Sequence, residues 1–283
     1  MRIGFKSWEE FQGWQRAPSY LESLLNAYGC SRILEVGSGA NPTLSPAYVR
    51  EHGRRYVTSD LSQEELAKAD PAFERVVLDL SAKAIDFTLL NKFDCVFSRM
   101  VGEHIRDGEQ YHKNIFRVLQ PGGIAVHCLA TLGALPFAVN RIVPGFLADR
   151  LLQTFNPRDE LKHGRFKAYY SWGGGPSNTM IARFESLGYE VVEYIGFYGH
   201  GYYSKRLPWL DRLEKMKSQY LLRHPVPQLC SYATLVLRKP IDVPSCSSPR
   251  WIRVNTQAGP NTGSCATEPL EQEHMSWEST HTE

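Results

Sequence analysis

Two glycines and three acids mark where chemistry can happen in this sequence. Glu35-Val-Gly37-Ser38-Gly39 closes a short apolar run, Ile33 to Val36. Gly37 and Gly39 lack a Cβ, so the backbone there can take unusual φ values and a ligand can approach it closely. Asp60 ends a second such run, Arg55 to Asp60, and Asp79 lies at the end of a third, Arg75 to Leu80. Any one of these acids alone reads as an ordinary surface residue. Glycines or acids ending three successive strands gather at one sheet edge, where open α/β sheets bind nucleotide-type ligands. Further on, Ser98-Arg-Met-Val-Gly-Glu103-His104-Ile105 sets a carboxylate beside an imidazole. His104 changes charge nearest neutral pH and can serve as a general base. Glu103 and His104 can equally start the next helix and hold the loop.

The elements that must position these residues alternate. Ser7-Trp-Glu-Glu10 and Ser19-Tyr-Leu-Glu22 match the capping box, and Leu21, Leu24, Leu25 and Tyr28 keep one apolar face, so residues 1–29 read as a helical cap. Strands follow at 33–36, 55–60, 75–80, 93–98 and 123–129. Ser62-Gln-Glu-Glu65 caps one intervening helix, and Asp107 caps another whose apolar face is Tyr111, Ile115, Val118 and Leu119. The pattern breaks over about 130–176 and resumes with a helix carrying Met180, Ile181, Phe184 and Leu187. A strand at 189–195 follows, then a second unpatterned insertion at about 196–227 and a last strand at 231–238. Such alternation predicts an α/β protein with a Rossmann-like, doubly wound seven-stranded sheet. From residue 240 to 283, Ser, Thr, Pro and polar residues dominate, which predicts a disordered tail.

Gly37-x-Gly39 begins a dinucleotide fingerprint, but its third position is Pro42, which weighs against a nicotinamide or flavin dinucleotide. Glu35-Val-Gly37-Ser-Gly39, Asp60, Leu78-Asp79-Leu80 and Leu119-Gln-Pro-Gly-Gly123 together resemble the class I S-adenosylmethionine-dependent methyltransferases, of the small-molecule and ubiquinone-pathway type. The resemblance covers about residues 30–130 and extends more weakly to 238, giving a methyltransferase domain over 30–239 with an antiparallel last strand. It implies S-adenosylmethionine as cofactor. Gly37, Ser38 and Gly39 would pass under its methionine part, and Glu35 would organise the loop and the amino group. Asp60, 21 residues beyond Gly39, would accept from the ribose hydroxyls, with Leu61 beside it. Asp79 would accept from the adenine amino group, with Leu80 against the ring. Ser98 and Arg99 would edge the transfer pocket. The family's usual third glycine is Asn41 here, and Asn tolerates left-handed φ better than most residues.

Glu103-His104-Ile105 resembles the Glu-His-Val/Ile element of small-molecule methyltransferases. No Asn/Asp-Pro-Pro-aromatic motif follows the fourth strand and no Pro-Cys nucleophile appears, which argues against nucleic-acid substrates. Met100 replaces the first Glu of an ExxEH metal pattern, so no metal is expected. The expected acceptor is therefore a small molecule, methylated on a hydroxyl oxygen. N- or C-methylation of a lipophilic acceptor at a membrane surface, and a non-catalytic binding protein, are the rival readings. The acceptor pocket should be built from the insertions, which hold Phe166, Tyr169, Tyr170 and Trp172, then Phe197, Tyr198, His200, Tyr202, Tyr203 and Trp209; His163, Tyr198 and His200 are further proton-acceptor candidates. These aromatics suit a lid over the acceptor or a small packed subdomain.

Composition sets the remaining bounds. A 42% apolar, 22% charged chain of 283 residues is an ordinary globular sequence. Residues 241–283 carry six acids and two arginines, so the modest net charge of +2 conceals a more basic body, without the basic runs a nucleic-acid partner would need. The six cysteines show no CxxC pair and read as reduced thiols of an intracellular, cytoplasmic protein. Trp8, Glu9 and Glu10 interrupt any signal-peptide core. The stretch from Leu129 to Ala148 is mostly apolar but contains Asn140, Arg141, Pro136 and Pro144, and the segment in question for a membrane contact is about 134–155. It predicts a lid helix or a peripheral membrane contact rather than a span.

Overall fold

The structure, a computed structural model, describes residues 1–133, 167–204 and 207–241. The proposed membrane contact at 134–155, His163, Phe166 and the tail from 242 lie outside the described residues. Among the described residues the strands form one eight-stranded sheet. They are β1 (Arg2–Ser7), β2 (Arg32–Val36), β3 (Arg55–Asp60), β4 (Glu74–Val77), β5 (Phe93–Arg99), β6 (Leu119–Ala130), β7 (Glu190–Tyr198) and β8 (Tyr232–Arg238). Their spatial order is β1-β7-β8-β6-β5-β2-β3-β4. Every pairing is parallel except those of β8, which runs antiparallel to both β6 and β7. The helices are α1 (Ala17–Ala27), α2 (Pro46–Glu51), α3 (Gln63–Ala67), α4 (Gly108–Val118), α5 (Asn178–Ser186) and α6 (Pro208–Arg223).

Both faces of the sheet are covered, as the alternation of side chains along a strand requires. Leu34, Val36 and Val57 belong to one core cluster with Tyr111, Ile115 and Val118 of α4 and Phe184 of α5. Ile33, Tyr56 and Phe97 belong to the other with Leu21 and Leu25 of α1. The Ser62 and Asp107 side chains accept from the Glu65 and Gln110 amides, so both capping signals work as read. Gly188, at φ 92°, follows α5 and ends it.

Four expectations need correction. The sheet has eight strands rather than seven, because residues 2–7 are extended and pair in parallel with β7. Helix in the N-terminal cap is confined to α1 and a 3-10 turn at Trp8–Glu10, which the Ser7 side chain does not cap. The long-range ladder with β7 satisfies the backbone of residues 2–7, and local capping residues cannot reveal that pairing. Strand β4 stops at Val77, so Leu78 to Leu80 form the loop beyond it. The second insertion is not unpatterned: β7 runs on to Tyr198, and α6 occupies most of the rest. Phe197 and Tyr198 are buried strand residues, not part of a lid.

Candidate active site

The chain leaves β2 for β3 and β4 on one side, then returns to β5 on the other, so the strand order reverses between β2 and β5. Ligands of open α/β sheets bind at that crevice. The pairing aligns Val36 with Ser59 on β3 and with Ser98 on β5, and Asp60 with Val77 on β4. Register therefore brings Gly37, Asp60, the loop to Asp79 and the end of β5 to one edge, as the sequence implied.

The glycine turn is held from beneath. Glu35 is buried; its carboxylate accepts from the Thr43 amide at 2.9 Å, the Thr43 hydroxyl at 2.6 Å and the Tyr56 hydroxyl. Burial raises its pKa, and the Thr43 and Tyr56 hydrogen bonds oppose that rise. Neither Thr43 nor Tyr56 carried a sequence signal for this role. The Ser38 amide donates to the Ser59 carbonyl at 3.0 Å, while its buried hydroxyl lacks a hydrogen-bond partner. Gly37 and Gly39 have φ of 67° and 49°. A Cβ on Gly37 would lie 2.5 Å from Val101 Cγ2, so the loop after β5 packs against this turn. Asn41 is not among the residues with positive φ, so its departure from glycine carries no strain. Its carbonyl instead accepts from the Arg99 guanidinium at 3.2 Å.

The two acids share a design. Asp60 Oδ1 accepts from the Ser62 amide at 3.0 Å, and Asp79 Oδ1 accepts from the Ser81 amide at 2.8 Å and its hydroxyl at 2.6 Å. Each carboxylate uses one oxygen to fix its own turn and keeps Oδ2 for another partner. Asp60 Oδ2 lies 3.4 Å from where a Gly39 Cβ would stand, so it faces the glycine turn. Leu61 beside it is 67% exposed, a large apolar side chain in the open at this edge. Leu80 differs: it is buried in the core.

Beyond β5, Met100 sits at φ 57°, a costly conformation for a non-glycine residue, and its amide donates to the Cys128 carbonyl at 2.7 Å. Glu103 and His104 form a 3-10 turn, Gly102–His104. The Glu103 carbonyl accepts from the Tyr169 and Tyr170 amides, tying down the segment that leads to Trp172. Its side chain is 3% exposed with Oε2 unpartnered, and burial pushes the carboxyl up to about 8. His104 is half-buried, with Nδ1 3.2 Å from the Lys167 carbonyl. That carbonyl can only accept, so Nδ1 carries the proton and Nε2 is the basic nitrogen. Burial lowers the His104 pKa.

Ser98 ends at the edge, but its hydroxyl turns inward, 2.7 Å from His127 Nδ1. Tyr111 and His112 complete a buried polar group with it, the two imidazoles meeting edge to face at 5.0 Å. Burial pushes His127 down to about 3, and lowers His112 further through the charge His127 would carry. Trp172 is half-buried and packs on His112 and Phe184 at the margin of the core. These histidines escape a reading by motif because they sit on different elements. Among the described residues, no three of His, Cys, Asp and Glu gather closely enough to hold a metal ion.

A mostly parallel, doubly wound sheet with a glycine turn and two half-engaged acids at its switch point defines a Rossmann-like nucleotide-type binding fold. Residues 34–127 match the family model described as "Methyltransferase domain". This stretch is a class I S-adenosylmethionine-dependent methyltransferase domain, the protein is an enzyme of that class, and S-adenosylmethionine is its cofactor.

A search of curated proteins gave no match. Among solved structures, an S-adenosylmethionine-dependent methyltransferase from Mesorhizobium loti is similar at 17% identity and a TM-score of 0.49, over 78% of this chain and 96% of that one. A phosphoethanolamine N-methyltransferase 2 from Haemonchus contortus is similar at 18% identity and 0.46, over 78% of this chain and 53% of that one. The 1,6-didemethyltoxoflavin-N1-methyltransferase of Burkholderia thailandensis is similar at 14% identity and 0.44, over 82% and 80%.

The residues at the switch point fit that cofactor. The Ser38 hydroxyl is buried without a partner, both acids hold an oxygen in reserve, and the two glycines leave the turn open to close approach.

Proposed function

We propose that this enzyme methylates a hydroxyl of a small-molecule acceptor, with His104 taking the hydroxyl proton. The observation that supports this is the Lys167 carbonyl beside His104 Nδ1, which makes Nε2 a neutral base at the end of β5. S-adenosylmethionine supplies a methyl group on a positively charged sulfur, a good leaving group. The chain's task is then to align the acceptor and remove its proton.

The geometry supports the remaining roles as follows. Gly37, Ser38 and Gly39 line the methionine part, with the Ser38 hydroxyl donating to it. Glu35 acts from below, through Thr43, on the shape of the turn. Asp60 Oδ2 accepts from the ribose, Leu61 covers it, and Asp79 Oδ2 accepts from the adenine amino group. Leu80 supports that loop from the core. Arg99 braces the turn through Asn41, and Ser98 anchors the end of β5 to His127. Glu103 positions rather than reacts: a carboxyl raised to about 8 is mostly protonated at neutral pH, and its carbonyl holds Tyr169 and Tyr170. We assign these functions to a domain over residues 30–239.

The test is a screen of hydroxyl, amine and carbon acceptors with isotopically labelled methyl donor. Label transferred to a hydroxyl, and lost in His104→Gln with cofactor binding retained, supports the reading. Transfer confined to amines or carbon sinks it.

A further inference from the structure

Helix α6 is inside out. Its inward face carries Asp211, Glu214 and Ser218, all buried, with Leu221 beside them. Its outward face carries Trp209 at 62% exposure, Leu213 at 52%, Met216 at 65% and Tyr220 at 62%. Steps of four, three and four residues put these four side chains within an arc of about 60°, in a stripe roughly 16 Å long. An amphipathic helix packed on a sheet shows the reverse arrangement.

The inward acids are matched by cations of the helix itself. Asp211 pairs with Lys215 at 2.8 Å, and Glu214 pairs with Lys217 at 2.6 Å and lies 3.9 Å from His200. Both lysines belong to α6 itself, and the polar face packs on β1 and β7. The two pairs occupy both acids of the helix. Arg212 and Arg223 are exposed, flank the stripe on one side, and have no ion pair among the described residues. The helix thus offers the outside an apolar stripe bordered by two unengaged cations and no unengaged acid.

We infer that the exposed face of α6 rests on an anionic lipid surface, with Trp209, Leu213, Met216 and Tyr220 at the acyl boundary and Arg212 and Arg223 among the headgroups. Charge complementarity selects that partner, since the two guanidinium groups match anionic headgroups. The composition of the stripe agrees: Trp and Tyr favour the membrane–water interface, the depth at which a surface-lying helix sets its apolar face. The mode is peripheral: among the described residues no helix is long and apolar enough to cross a membrane. None of these residues is assigned above to the cofactor or to proton transfer, though the sequence had placed Trp209 in the acceptor pocket, and the inference does not depend on which acceptor that site takes.

The full chain is sedimented with phosphatidylcholine vesicles, alone and with added phosphatidylserine, for the natural protein and two paired variants. Binding should require phosphatidylserine and weaken with salt. Arg212→Gln with Arg223→Gln should weaken it about 25-fold, from about 1 kcal/mol per basic residue at a charged surface. Trp209→Ala with Met216→Ala should reduce it to the level seen without phosphatidylserine. Calorimetric binding of S-adenosylhomocysteine should be unchanged in both variants, which shows that they fold. Three results each overturn the inference: no binding to either vesicle, binding that neither pair weakens, or light scattering that shows a dimer broken by the Trp209 and Met216 changes.

Discussion

Whether His104 or Glu103 takes the acceptor's proton is decided by pH, because burial moves the two groups in opposite directions. Lys167 fixes the His104 tautomer and burial lowers its pKa, so the neutral base predominates at neutral pH. Glu103 is raised to about 8, so at pH 7 only about one-tenth of it is ionised. If His104 is the base, kcat/KM is level above about pH 7 and falls tenfold per unit once the pH drops below the imidazole's pKa. If Glu103 is the base, the rate keeps rising through about pH 8. Removing a positioned general base costs about 10²–10⁴ in rate, so His104→Gln should lose that much, while Glu103→Gln keeps the shape of the profile. The assay follows labelled methyl transfer from pH 5 to 9, with cofactor affinity measured calorimetrically at each pH so that binding and chemistry separate. Full activity in His104→Gln refutes the reasoning. So does a limb near pH 8 that vanishes in Glu103→Gln.

Three further outcomes are expected. Asp60→Ala removes an acceptor of charge-assisted hydrogen bonds worth about 1.5–3 kcal/mol each, so affinity for S-adenosylhomocysteine should fall at least about tenfold by calorimetry; unchanged affinity removes Asp60 from the ribose site. Gly37→Ala combines a left-handed φ, costing about 1–2 kcal/mol, with a clash on Val101 of about 1–3 kcal/mol. Urea unfolding should show both, and Gly37→Ala with Val101→Ala should recover only the clash; no loss in the single variant contradicts the packing described. Glu103 has a folded pKa above its unfolded value, so the stability it contributes is whole below about pH 4.5 and is lost as pH rises through about 8. At pH 7 the loss is about 3 kcal/mol. Glu103→Gln should therefore gain thermal stability over the natural protein at pH 7–8 but not at pH 4.5. An equal difference at both would show that the carboxyl does not titrate this way.

The sequence by itself determined the fold class and the cofactor edge. Those signals are local: a glycine turn after an apolar run, an acid after each of the next two, and caps at Ser62 and Asp107 that act within three residues. Chain order then places such strand ends together, because parallel strands joined by helices all finish at one edge. What lies across the sheet was decided only by tertiary structure. Residues 2–7 look like a helix start until β7 pairs with them. Thr43 and Tyr56 gain their role only when the turn folds back over Glu35, and Ser98 meets His127 only across the β5–β6 ladder. His104 acquires its basic nitrogen from a carbonyl 63 residues further along the chain. Helix α6 inverts the usual rule: its buried face carries Asp211 and Glu214, each paired with a lysine of the same helix, and its apolar residues point outward. A hydrophobic pattern reports which residues share a face. Only the packing decides which face turns in.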